Sequence, residues 1–185
     1  MIEIKIDTKE LERIETMLTS IPDGMERATS AAINRALSMT KTAASRKVRD
    51  KYNIKERDIN SFITPHRASR ANLSGYLRVK SARMPLSKFK VNPSRPSPKR
   101  RKPIFVSVKK SGGAIKGAFV ADLDSGHRGV FERVGKSRFP IRELYGPSVP
   151  QMVGEGTIIK ELEEEASEIV IERLSHEAVR LLGRY

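Results

Sequence analysis

The chain has no cysteine and no tryptophan, and aromatic residues fill only 5% of its 185 positions. The first absence excludes disulfides, thiolate zinc sites and cysteine nucleophiles, so stability has to come from packing or from partner subunits. The second, with hydrophobic residues at 38%, leaves a core of Ala, Ile, Leu, Val and Met, a composition that favours helices with modest buried area. No apolar run approaches the roughly 20 residues that cross a bilayer. The opening Met1-Ile2-Glu3-Ile4-Lys5 carries an acidic residue and no apolar signal region, so the expectation is synthesis in the cytoplasm with no membrane association. The length fits a single domain over residues 1–185.

The signatures of catalysis are also lacking. Enzymes need a nucleophile with a base, carboxylates paired in a pocket, or metal ligands at workable spacing. His66, His127 and His176 stand far apart, and none belongs to an HExxH motif. Asp122, Asp124, His127 and Glu132 are the best candidates for a metal-nuclease cluster, which would show itself as divalent-ion-dependent cleavage. Strand alternation would split Asp122 from its neighbours, however, and "DLDSGHRG" reads equally well as a polar turn between two strands. Ser111-Gly112-Gly113-Ala114 lacks the second half of a phosphate-cradling loop and precedes no helix. We therefore expect no enzyme, no catalytic residue, no metal and no cofactor. Zinc-finger, zipper and helix-turn-helix patterns are missing too, so any DNA contact would be electrostatic and indifferent to sequence.

What the sequence does have is unevenly placed positive charge. The net charge is +14, but residues 27–116 hold 24 basic against 3 acidic side chains, a balance of +21, while residues 1–26 and 155–185 each carry −4. Such a middle segment calls for counter-charge, from nucleic acid or from acidic neighbour subunits. A free-standing, sequence-nonspecific DNA-binding protein is the alternative reading that this segment supports.

Periodicity supplies the elements. Ile2, Ile4 and Ile6 alternate like a short strand, and a first helix begins near Lys9 with Leu11, Ile14, Met17 or Leu18 and Ile21 on one side, ending at Ile21-Pro22-Asp23-Gly24. Residues 25–52 contain no Pro or Gly, and Ile33, Leu37, Ala44, Val48 and Tyr52 recur at helical spacing. Ala28, Ala31, Ala32, Ala36, Ala43 and Ala44 keep that helix thin, and Arg46, Lys47, Arg49 and Lys51 in its last turns complement its dipole. A short helical stretch over 55–61 follows. Leu73, Leu77 and Val79 then alternate with basic residues as a strand. Residues 84–103, with five prolines and a dense set of Lys and Arg, read as a mobile basic loop. Strands are expected over 104–108, 115–123 and 129–134. Residues 139–153 are too irregular for strand or helix, yet too apolar for water. Ile158, Leu162, Ala166, Ile169, Val170, Leu174, Ala178 and Leu181 mark a C-terminal helix with acidic residues first and basic ones last. The expected fold is α+β, an antiparallel sheet packed against two long helices, with the basic Pro-rich loop between strands.

One phrase goes beyond composition. "GAFVADLDSGHRGVFERVGKSRFPIRELYGPSVPQM", residues 117–152, resembles the phage minor tail protein Z family, the lambda-type tail-completion proteins. The run Pro-Ile-x-Glu-Leu-x-Gly-Pro-Ser-x-Pro is long and unusual, and strong resemblance covers about a fifth of the chain. The resemblance implies a virion structural protein of a phage or prophage that finishes the tail at its head-proximal end, where head and tail join and DNA passes. It also implies tail and connector proteins as partners, and a homo-oligomeric ring, by analogy a hexamer.

Two groups of residues become candidate sites on this basis. Phe139, Pro140, Ile141, Leu144, Tyr145, Pro147, Pro150 and Met152 would form a subunit contact preorganised by its prolines, or would cover their own core. Arg95, Lys99, Arg100, Arg101, Lys102, Lys109 and Lys110 would face DNA or an acidic tail protein.

Overall fold

The structure is a computed structural model that describes residues 8–97, 99 and 102–183, with side chains from residue 12 onward. The strand expected at Ile2, Ile4 and Ile6, the side chain of Leu11, and Arg100 and Arg101 lie outside the described residues. Contacts sort the chain into two compact units, each drawn from separated stretches: Met1–Ser45, Ile63–Val79 and Val153–Tyr185 in the first, Arg46–Phe62 and Lys80–Met152 in the second.

The first unit is mainly helical. Helix α1 (Thr8–Leu18) stops at the Pro22-Asp23-Gly24 turn, where Asp23 takes a positive φ of 51°, a conformation that Asp tolerates better than most residues. Helix α2 (Gly24–Lys51) contributes its residues up to Ser45, and α5 (Ile158–Leu182) closes the unit. Ile14, Leu18 and Ile21 pack with Ala28 and Ala32 of α2 and with Leu174, Ala178 and Leu181 of α5 in one buried cluster. The alanines admit a neighbouring helix close to the α2 backbone.

A hairpin of β1 (Ile63–His66) and β2 (Tyr76–Val79) is tied to α2 by polar clamps. Asn34 donates to the Ala68 carbonyl and accepts from the Ala68 amide, both at 2.9 Å, and the Lys41 ammonium donates to the Ile63 carbonyl at 2.7 Å. Gly75 lies so near α2 that a Cβ there would meet Ile33 Cγ2 at 2.8 Å and Leu37 Cδ1 at 2.9 Å. The opposed His66 and Tyr76 rings stack with centroids 4.4 Å apart.

The second unit is built from short strands. It takes in the end of α2, α3 (Glu56–Asn60), β3 (Arg83–Pro85), a 3₁₀ turn at Leu86–Lys88, β4 (Lys90–Asn92), β5 (Ile104–Ser107), β6 (Gly113–Ile115), β7 (Ala118–Asp122), β8 (Arg128–Arg133), β9 (Ile141–Glu143) and β10 (Tyr145–Ser148). Helix α4 (Val149–Val153) follows. All pairings are antiparallel: β10 with β3, then β4-β5-β6 and β7-β8-β9 as three-stranded sheets. Asn53 anchors the end of α2 by donating to the Ser107 and Lys109 carbonyls at 3.2 and 2.6 Å.

The α+β mix and its antiparallel pairing are as expected, but the strands divide over four small sheets rather than one. The run read as one strand over 115–123 is cut at Gly117, whose φ of 76° turns the chain out of the sheet of β6 and into that of β7. The segment read as a basic loop from residue 84 is ordered as far as Asn92, because Met84, Leu86 and Phe89 are buried and hold β3, the 3₁₀ turn and β4 in place. Of residues 139–153, taken as irregular, 141–153 form β9, β10 and α4, with Val149 and Met152 buried. No helix among the described residues is long and apolar enough to cross a membrane.

Candidate subunit and nucleic-acid interface

The strands β7, β8 and β9 with their connecting turns run through residues 118–143 of the distinctive phrase at 117–152. Phe119 and Phe131 are cross-strand partners with ring centroids 6.3 Å apart, and the Arg133 guanidinium stands 5.5 Å over the Phe119 ring. On the same side of β8, His127 meets the Phe131 ring edge to face. Glu143 of β9 is opposite Phe131, and its carboxylate is shared: His127 Nε2 lies 2.8 Å from Oε1, and the Tyr145 hydroxyl donates to Oε2 at 2.8 Å. The hydrogen bond to Glu143 pushes the Tyr145 phenol above its ordinary pKa.

Room for this carboxylate comes from Gly129, where a Cβ would meet Glu143 Oε1 at 2.6 Å and the Phe131 ring at 2.8 Å. A glycine inside a strand often marks such a close approach. That signal was present in the sequence, but Glu143 as its counterpart was missed, because the β8–β9 register decides which side chain arrives.

Three of the four residues weighed as a metal cluster go to separate partners. Asp122 accepts from Arg128 Nε at 2.6 Å and Nη2 at 3.0 Å, and this hydrogen bonding holds the Asp122 carboxyl below the usual carboxylate range while raising the Arg128 guanidinium. Glu132 pairs with Arg142 of the next strand, Nε to Oε1 at 2.9 Å, and His127 is turned to Glu143. Among the described residues no group of His, Cys, Asp and Glu is placed to hold a metal ion.

The β8–β9 loop presents apolar side chains outward on a closed frame. Its backbone is fastened by the Val134 amide to the Pro140 carbonyl at 3.1 Å, and Arg133 donates to the Arg138 carbonyl at 2.7 Å. Phe139 and Val134 are each 62% exposed, Tyr145 is 49% exposed, and Pro140 is exposed with them. Ile141, Leu144, Pro147 and Pro150 are half-buried. Met152 departs from its expected role: it is fully buried in its own unit, a core residue and not a contact.

The basic candidates fall in two places. Arg95, Lys99 and Lys102 are exposed on the chain between β4 and β5. There Pro93, Pro96 and Lys102 wall a groove of about 690 Å3 whose floor includes Ile104, Phe119 and Val120. Lys109 and Lys110 are exposed beyond β5, with the Lys109 ammonium 5.4 Å over the Tyr52 ring.

Acidic side chains engaged in cross-strand pairs, aromatic rings facing solvent and exposed cations thus make up the surface of this unit. The family described as prophage minor tail protein Z (GPZ) matches residues 8–184, and the chain belongs to it, a phage minor tail protein and thus a component of the virion tail. No curated protein and no solved structure matches the chain.

Proposed function

We propose that the chain completes the tail at its head-proximal end, as a non-enzymatic subunit of a homo-oligomeric ring, six-fold by analogy, through which DNA passes. The observation that carries this reading is the pair of exposed rings, Phe139 and Tyr145, held on the fastened frame of β8, β9 and β10. A rigid aromatic residue that is already ordered loses little entropy on docking, and such residues dominate subunit contacts. The exposed Arg95, Lys99 and Lys102 serve the passage, since cations on phosphates act alike on any genome. The Asp122, Glu132 and His127 pairings support a role without turnover, because these three of the four candidate acids and bases already have partners.

The test is complementation of phage that lack this gene. Phe139→Ala should leave the isolated protein within about 0.5 kcal/mol of wild type, as surface substitutions do, yet sharply lower infectivity. Electron microscopy of tails carrying an epitope-tagged chain should show the tag at the end that joins the head. A tag at the distal tip, or full infectivity of Phe139→Ala, would refute the assignment. Serine at positions 99–102 should disturb DNA positioning in the virion, and unchanged positioning would give those residues another task.

A further inference from the structure

The cations at the end of α2 match a helix dipole, which accounts for Arg46 and Arg49 but for nothing beyond the helix. The structure adds cations that no dipole gathers. Lys55 comes from the residue before α3, Lys88 from the 3₁₀ turn and Lys90 from β4, and these converge with Arg46 and Arg49 on a concavity of about 620 Å3 in the second unit. One acid, Asp50, shares its lining. Glu56 compensates Arg49 at 3.1 Å and Asp58 compensates Lys88 at 3.0 Å, while Lys55 and Lys90 are exposed.

We propose that this groove binds the phosphodiester backbone of nucleic acid without regard to sequence, as a site separate from the residues between β4 and β5. Two observations favour phosphate over an acidic protein. The apolar side chains of the lining, Tyr52, Ile54 and Phe89, are only 5%, 6% and 6% exposed, so the groove offers charge with no apolar anchor. Protein interfaces are built around such anchors, whereas phosphate contacts need only cations. The one amide side chain of the lining, Asn53, donates its Nδ2 hydrogens to the Ser107 and Lys109 carbonyls, which leaves it no donor for the bidentate donor-acceptor contact that reads an adenine. The exposed rings of this unit, Phe105, Phe139 and Tyr145, are absent from the groove lining.

The experiment uses the purified full-length protein, short duplex DNA of two unrelated sequences, and fluorescence anisotropy over a series of salt concentrations. The double variant Lys55→Gln, Lys90→Gln should bind both duplexes about tenfold more weakly, and the slope of log affinity against log salt should fall by about 2, at roughly 0.9 for each phosphate that is no longer neutralised. Both lysines are exposed and Lys55 makes no side-chain cap on α3, so the melting temperature should not move. A separate variant with serine at positions 99–102 should lose affinity independently of the groove variant. The proposal is overturned if wild type fails to bind duplex, or if the groove variant binds unchanged. It is equally overturned if polyglutamate binds as tightly as DNA and loses as much in the groove variant, which would make an acidic protein the occupant. None of these outcomes bears on which end of the tail the chain occupies.

Discussion

Along α5 of the helical unit, Lys160 pairs with Glu164, Glu172 with Arg173 and His176, and Glu177 with Arg180, each within four residues. In the strand-rich unit they join separate pieces of chain: Arg49 to Glu56, Lys88 to Asp58, His127 to Glu143, Arg128 to Asp122 and Arg142 to Glu132. A helix closes its own backbone hydrogen bonds and needs only an apolar stripe to be held, as the cluster from Ile14 to Leu181 provides. Strands of three to six residues cannot do this alone, so side chains fix how they meet. Among the described residues the strongly exposed aromatic ones, Phe105, Phe139 and Tyr145, all belong to the second unit. The difference teaches that a long helix keeps its side-chain pairs local, whereas short strands are tied together by pairs from separate stretches of chain.

The sharpest test of burial in the helical unit is Leu174→Ala. Leu174 is fully buried in the cluster, and its truncation should cost about 2–5 kcal/mol, read from the denaturant midpoint. A loss below about 1 kcal/mol, the scale of a single methylene, would erase the contrast between the units. For the strand-rich unit, Gly129→Ala forces a methyl against the Glu143 carboxylate and the buried Phe131 ring, at a cost of about 1–3 kcal/mol. Nuclear magnetic resonance should show His127 and Tyr145 shifted and the helical unit unchanged. Unaltered His127 and Tyr145 signals would mean that Glu143 does not key the strands.

The smallest effect is a titration. Because the hydrogen bond to Glu143 raises the Tyr145 pKa, it favours the neutral phenol of the folded state. Its contribution to stability is present below the ordinary value near 10 and fades as pH rises through the higher folded value. With 13C-labelled tyrosine, the signal missing in Tyr145→Phe should titrate above the ordinary phenol range and move down in Glu143→Gln. No movement in Glu143→Gln would remove the carboxylate from the account.

The helices, the strands near 104–108 and 129–134 and the antiparallel pairing were legible in the sequence, but the grouping of strands into sheets was not. The eight apolar residues spaced along the C-terminal segment, from Ile158 to Leu181, are the ones buried on α5, since a long helix repeats its signal over many turns. Val48 of α2 and Tyr52 just beyond its end are buried as their spacing requires. Strands of three or four residues are too short to show a period, and which of them pair is set by distant chain, so the division into four sheets left no local trace. At the candidate interface, the outward Phe139 and Tyr145 and the inward Met152 sit in one apolar, proline-studded run. Only α4, by turning Val149 and Met152 into the core, tells them apart.

Gly129 and Glu143 meet across β8 and β9, and between those strands runs the β8–β9 loop with Val134 and Phe139 at its surface. Since the landing of the returning strand is keyed by that one notch and its carboxylate, the length and composition of the loop are released from setting it. An insertion in this loop should therefore leave the sheet beneath it in register, much as a lock body accepts a new escutcheon.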